Sequence, residues 1–294
     1  APATADPLRV VVISDLNGSY GSTTYNSRVP AAIDKIISLA PDLVISTGDM
    51  VAGQATPNLS DKQVRAMWAA FHQAVSDPLK KAGIPFAVTP GNHDASAYGG
   101  FREERRIFKD EWSSRRPDLR FVSSNDYPFS YAFDLRGVRF VSLDATTLGP
   151  LSGNQMSDLA SLVEGPETVV TFSHLPLWPF AIDREREIIG DPLLEQFYKK
   201  SDVDLHLSGH HHAYYPGQKD GVLYVSQACL GGGARRLIGT SDRSKNSFTL
   251  LEIEDGSINV RAFAAPDYEQ EIALTSLPKA IISKQATLTR MDLP

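Results

Sequence analysis

The strongest constraint on the fold is a repeated pairing along the chain: a short apolar run followed at once by a small polar cluster. Residues 8–14, 43–45, 86–88, 169–172 and 203–207 form the runs. Continuous apolar runs of this kind read as strands covered on both faces, as in a parallel sheet flanked by other layers. The clusters behind them are Asp15-Leu16-Asn17, Gly48-Asp49, Gly91-Asn92-His93-Asp94, Ser173-His174 and Gly209-His210-His211-His212. Open α/β sheets carry their functional groups at the carboxyl ends of strands. The last three clusters hold five of the chain's seven histidines.

Between the early runs the spacing is helical. Val29, Ile33, Ile36 and Ile37 recur with a helical period that stops at Pro41. Ser60 and Gln63 make a capping box for a long helix reaching about Ala82. A mixed-charge helix is expected near residues 101–112, then strands over 130–135 and 138–143 joined by a tight Arg136-Gly137 turn. Beyond the histidine triplet the pattern turns to strands at 221–226, 248–253 and 257–263, the last two forming a hairpin around Asp255-Gly256. No internal repeat, low-complexity segment or linker interrupts the chain, so one α/β domain with a strand-rich end is the simplest account. The pattern weakens after Ala265, which leaves residues 7–265 as the expected domain and residues 266–294 as a C-terminal extension of unspecified structure.

Bulk properties exclude several function classes. A net charge of -6 argues against a dedicated binder of long nucleic acid. A small phosphate ester stays compatible, because metal ions can supply positive charge locally. No apolar run approaches a membrane span. The single cysteine, Cys229, allows no internal disulfide and no thiolate-rich metal site. The start at Ala1-Pro2-Ala3-Thr4-Ala5-Asp6, without methionine, suits a product of signal-peptide cleavage. A periplasmic or secreted location is the expectation from it, although a trimmed chain would look the same.

The clusters suit a pair of divalent ions. Two ions about 3.5–4 Å apart need a shared anionic bridge with further ligands on either side, and a carboxylate can give one oxygen to each. Asp15 and Asp49 are the best-placed acids; taken singly, each reads equally as a turn or N-cap aspartate. Asn92 alone is a loop residue and His174 alone a packed histidine. His210 and His212 are harder to set aside, since alternate residues leaving a strand point to one side while His211 faces away. Trp178, Phe180, Tyr214 and Tyr215 follow the histidine clusters and read first as packing under loops. Arg235 and Arg236, beyond the glycine run, could meet a phosphate but read first as a solvated loop; the glycines at 231–233 read as a flexible turn, and His72 and His206 as residues outside the site.

Taken in order, these clusters resemble the calcineurin-like metallophosphoesterase superfamily. Its motifs run Asp-x-His, Gly-Asp, Gly-Asn-His-Asp/Glu, a lone His and Gly-His-x-His, and the resemblance spans Asp15 to His212. It implies a four-layer α-β-β-α sandwich, two facing mixed β-sheets flanked by helices. By matching position it implies that Asp49 bridges two metal ions. Asp15, His212 and the residue at 17 would complete the first site; Asn92, His174 and His210 would hold the second. His93 would be no ligand but would face the substrate as proton donor to the leaving oxygen, with Asp94 either orienting it or capping its loop. One position departs from the pattern: Asn17 stands where the family usually has histidine. An amide oxygen shifts the first site toward harder ions such as manganese and weakens it for zinc. The purple acid phosphatase branch fits poorly, since the tyrosine it places three residues after its bridging aspartate is Ala52 here.

The function implied is hydrolysis of phosphoric esters by a metal-bridging hydroxide, with two divalent or mixed-valence ions of manganese, iron or zinc. A small-molecule phosphatase or phosphodiesterase is expected, because no polymer-binding surface is visible. The rivals are a metal-binding scaffold and a one-metal enzyme, both resting on Asn17.

Overall fold

The computed structural model describes residues 6–294, so the processed-looking start at residues 1–5 lies outside the described residues. In chain order the first strands are β1 (Leu8–Ile13), β2 (Leu43–Ser46), β3 (Phe86–Val88), β4 (Arg120–Asp126), β5 (Ser130–Leu135), β6 (Val138–Ser142) and β7 (Thr168–Ser173). There follow β8 (Leu205–Ser208), β9 (Tyr215–Lys219), β10 (Val222–Ser226), β11 (Ser247–Glu254), β12 (Ser257–Ala264), β13 (Gln270–Glu271), β14 (Ala280–Ile282) and β15 (Thr287–Arg290). They build two mixed sheets. One runs β13-β12-β11-β1-β2-β3; the other runs β14-β15-β9-β10-β8-β7-β6-β5-β4.

Burial explains the unbroken apolar runs. β1 is parallel to β2, which is parallel to β3, and β1 is antiparallel to β11 on its other side. Val10, Val11, Val12 and Ile13 are all fully buried, so neither face of that strand meets water. One core cluster joins β1 residues to Phe133, Phe140, Phe172 and Leu207 of the other sheet, filling the space between the sheets. A second cluster, with Val141, Val169, Leu194 and Tyr198, covers the far face of the nine-stranded sheet. The outcome is an α/β sandwich of two mixed sheets flanked by helices.

The helices form for local reasons that the sequence states. Helix α1 (Arg28–Leu39) buries Val29, Ala32, Ile33 and Ile36 along one stripe. Helix α2 (Asp61–Phe71) opens on a full capping box, Ser60 accepting from the Gln63 N–H and the Gln63 side chain accepting from the Ser60 N–H. It does not run evenly to residue 81. A π turn at His72–Ser76 leads into α3 (Asp77–Lys81), with Pro78 in its first turn. The helix is continuous here, Ser76 and Asp77 both keeping helical dihedrals, and the π turn lies just before the position where Pro78 removes a backbone donor. A one-turn α4 (Asn92–Ala95) carries the Asn-His-Asp motif, and α5 (Arg102–Ser113) is the mixed-charge helix. Helices α6 (Gly153–Leu162) and α7 (Pro192–Lys200), together with β4 and β9, had no clear sequence signal.

The segment after Ala265 is part of both sheets. β13 pairs with β12, while β14 and β15 form a hairpin whose second strand pairs with β9. Ile281 and Leu288 are fully buried in the outer cluster. No described helix is long and apolar enough to cross a membrane.

Candidate metal centre and active site

All five polar clusters meet at the carboxyl ends of the central strands. What aims the side chains is backbone handedness. Asp15 (φ 52°), Asp49 (φ 54°), His210 (φ 64°) and His212 (φ 51°) all occupy the left-handed region. For residues with a Cβ that region costs roughly 1–2 kcal/mol each, and such strain collects at functional sites. His210 and His212 lie beyond the end of β8, so this backbone, and not strand alternation, sends both rings to one cavity. His211 does face away: its Nδ1 accepts from the Phe180 and Ala181 N–H groups and its Nε2 donates to the Glu187 carbonyl.

The motif glycines permit the close approach of these loops. A Cβ on Gly91 would lie 2.1 Å from the Asp49 nitrogen, and one on Gly209 would lie 2.3 Å from Ser14 Oγ. Gly231 is packed just as tightly, its hypothetical Cβ 2.4 Å from the Asn17 carbonyl oxygen, and its N–H donates to the Asp15 carbonyl. The 231–233 segment is therefore a fitted wall of the site at its first residue and not a loose turn.

Asp49, His174 and His210 bring one ligand atom each within 4.8 Å of one another. His174 Nε2 is 3.3 Å from Asp49 Oδ2, 3.2 Å from His210 Nδ1 and 3.0 Å from Asn92 Oδ1. His212 Nε2 is 2.9 Å from Asp15 Oδ1, and Asp15 Oδ2 accepts from the Ser14 hydroxyl and the His210 N–H. Asn17 donates its Nδ2 to the Val51 carbonyl at 3.0 Å, which leaves its amide oxygen free. Asn17, Asp49, His210 and His212 line a cavity of about 270 Å³ together with Tyr20, Ala52, His93 and Arg235, while Asp15, Asn92 and His174 reach the cluster through their contacts with His212, His174 and Asp49. Every sequence-derived ligand candidate thus lies at this one place.

The outer atoms of the rings are held as metal ligands require. His174 Nδ1 faces the Thr47 carbonyl at 2.8 Å, His212 Nδ1 the Gly233 carbonyl at 2.9 Å, and His210 Nε2 the Glu187 carboxylate at 3.0 Å. Each donates outward, so its other nitrogen points to the cluster, the arrangement that orients ligating imidazoles. Asn92 is fixed likewise, its Nδ2 donating to Gln54 Oε1 at 2.6 Å.

Electrostatics carry the same message. Burial resists ionisation of Asp49 and Asp15, but His174 beside the first and His212 beside the second hold both carboxyls below the usual range. Burial likewise opposes charge on His174 and His212, and their carboxylate partners outweigh it, pushing them up to about 9 and about 10. Protons thus occupy positions suited to cations, and metal binding would release them. Carboxylate and amide oxygens with imidazole nitrogens are a donor set for manganese, iron or zinc. The residues present fit divalent metal.

His93 stands on the cavity wall, with Nδ1 2.7 Å from the Gly53 carbonyl and the Tyr20 ring 5.5 Å away. Asp94 does not orient the His93 ring. Its carboxylate accepts from the Met50, Val51 and Gly91 N–H groups and braces the two ligand loops together. Burial, aided by the charge of Asp49, pushes Asp94 up to about 7. Trp178, Phe180, Tyr214 and Tyr215 are buried packing residues, and His72 and His206 lie apart from the cavity.

Two residues of the site were not assigned to it from the sequence. Glu187 comes from a loop 23 residues before His210 and reaches it only in the folded chain. Arg235 lines the cavity and donates to the His210 carbonyl, where the sequence suggested a solvated loop. Its nearness to the glycine run was the one available hint.

Residues 8–214 match the family model of calcineurin-like phosphoesterases. No curated protein sequence matches the chain. Among solved structures it is similar to a purple acid phosphatase of yellow lupin, Lupinus luteus, at 16% identity and a TM-score of 0.66, over 90% of this chain and 52% of that one. The chain therefore spans about half the length of that protein. A dimetal phosphatase of Danio rerio is similar at 14% identity and a TM-score of 0.60, over 97% of this chain and 100% of that one. GAP50, described as the anchor in the inner membrane complex of Plasmodium, shares the fold at 14% identity and a TM-score of 0.57, over 90% of this chain and 87% of that one. With its metal-ligand geometry and a family match over most of its length, the chain belongs to the calcineurin-like phosphoesterases.

Proposed function

We propose that this protein is a two-metal hydrolase of small phosphoric esters, a phosphatase or phosphodiesterase. The observation that carries the reading is the contact cluster of Asp15, Asp49, Asn92, His174, His210 and His212, from which Asp49, His210 and His212 reach a cavity that has His93 on its wall. Asp49 would be shared between two ions. Asp15, His212 and the free amide oxygen of Asn17 would complete one site; Asn92, His174 and His210 the other. Bound there, divalent ions supply hydroxide from water near neutral pH and neutralise charge on the phosphoryl oxygens. The oxygen-rich first position favours manganese among the candidate metals.

The protein's own groups do the rest. Gly53 takes the Nδ1 proton of His93 and so leaves Nε2 as the nitrogen that can meet a substrate. Protonated at Nε2, His93 would pass a proton to the departing ester oxygen, help typically worth about 10²–10⁴-fold. Metal content and turnover test this together. Metal-loaded protein is expected to carry roughly two ions per chain and to hydrolyse p-nitrophenyl esters, and His93→Ala to keep its metal while losing about 10²–10⁴-fold in kcat. Full metal with no turnover in the unmodified protein would sink the enzyme reading.

Asn17 favours one alternative, a metal-dependent scaffold or one-metal member of the family with a weakened first site. GAP50, the anchor in the inner membrane complex of Plasmodium, is an instance of this fold in an anchoring role. In that case His93→Ala would have no turnover to remove, and metal content would stay near one ion per chain.

A further inference from the structure

Arg235 is the only arginine or lysine that the described residues contribute to the wall of the metal-centre cavity. It is held from both directions. Its N–H donates to the His212 carbonyl at 3.2 Å, its carbonyl accepts from the Ser244 N–H at 2.7 Å, and its Nη1 donates to the His210 carbonyl. No carboxylate among the described residues forms an ion pair with it. The nearby acid, Glu187, is already engaged by His210 at 3.0 Å and by Arg184 at 3.2 Å. A half-buried guanidinium keeps its charge, and most of its five donors have no partner here. A fixed cation of this kind at a cavity wall calls for an anionic ligand with several oxygens.

We infer that Arg235 is a specificity-determining residue that binds a non-bridging oxygen of the substrate's phosphoryl group and selects phosphomonoesters over phosphodiesters. This rests on the hydrolase reading for the ester, although the anion contact stands without it. A monoester phosphoryl group has three non-bridging oxygens and is close to dianionic at neutral pH, whereas a diester has two such oxygens and one charge. The added oxygen and the added charge are what a lone fixed arginine on the wall can use. Tyr20, another residue of the cavity wall, is 63% exposed and offers an aromatic face to the organic part of the ester.

The test uses manganese-loaded protein, unmodified and as Arg235→Gln and Arg235→Lys, with metal content checked in each. Calorimetric titration with inorganic phosphate is the first readout. The affinity is expected to fall about 10- to 100-fold in Arg235→Gln, the range of charge-assisted hydrogen bonds, with partial recovery in Arg235→Lys. The second readout is the ratio of kcat/KM for p-nitrophenyl phosphate to that for bis-p-nitrophenyl phosphate, which should fall by about tenfold or more in Arg235→Gln. Unchanged phosphate affinity at equal metal content overturns the inference while leaving the hydrolase reading intact. An equal loss on both esters also overturns it, since Arg235 would then not discriminate between them. If neither ester is turned over but phosphate binding still depends on Arg235, the hydrolase reading fails and the anion contact stands.

Discussion

At the residue scale the departure at position 17 is the sharpest test of the centre. Asn17 fixes its amide by donating to the Val51 carbonyl, and its oxygen is what remains for the cavity. Asn17→His would replace that oxygen with an imidazole nitrogen, the better ligand for zinc. The variant is expected to bind zinc at the site formed with Asp15 and His212 about tenfold more tightly, read by competition with a chromogenic chelator. Unchanged affinity would mean that residue 17 is not a ligand. The ligand candidates themselves were legible in the sequence because each belongs to a short cluster directly behind an apolar run, and in three of the clusters Gly48, Gly91 and Gly209 are required by contacts that a Cβ would close. Glu187 was not legible, and Arg235 read first as a solvated loop. They act on His210 and on the cavity through folded loops, and no local pattern marks a residue whose partner lies elsewhere in the chain.

At the scale of elements, continuous apolar runs identified the buried strands, and the capping box of Ser60 and Gln63 identified the start of α2. The Asp255-Gly256 hairpin was equally plain, and both turn residues do take positive φ, 47° and 76°. Elements that bury little were lost. β4 alternates exposed and half-buried residues, and α6 buries only Leu159. The last strands were lost for a different reason. β14 and β15 are three and four residues long, and their burial depends on β9 being next to them. Leu288 is fully buried there, so Leu288→Ala should cost about 2–5 kcal/mol, measured by urea unfolding. A cost well under about 1 kcal/mol would mean that this hairpin lies on the body without being packed into it.

At the scale of the whole molecule, a buried polar network ties the outer layer to the ligand loops and makes stability depend on pH. His206 Nδ1 meets Thr171 Oγ1 at 2.7 Å and the Tyr198 hydroxyl at 2.9 Å, and its Nε2 meets Ser173 Oγ at 2.9 Å. Burial pushes this histidine down to about 3 from an ordinary 6.5. Between those values the unfolded chain binds a proton that the folded protein does not, so stability falls as the solution is acidified. The contribution is complete above pH 6.5 and is lost toward pH 3, at a slope of up to about 1.4 kcal/mol per pH unit. His206→Gln should flatten that slope in urea midpoints taken from pH 7 to pH 4; an unaltered slope would assign the acid sensitivity to other groups. The sequence by itself determined the alternation of buried strands and helices, the family and the identities of the ligand candidates. Those follow from local patterning and from motifs whose spacing is short. Only the tertiary structure decided which residues support them: Glu187 behind His210, Asp94 bracing loops rather than orienting His93, Arg235 on the cavity wall, and a terminal segment woven into both sheets. Such contacts join residues far apart in the chain, and their energy comes from burial and partners that exist only once the sheets have come together.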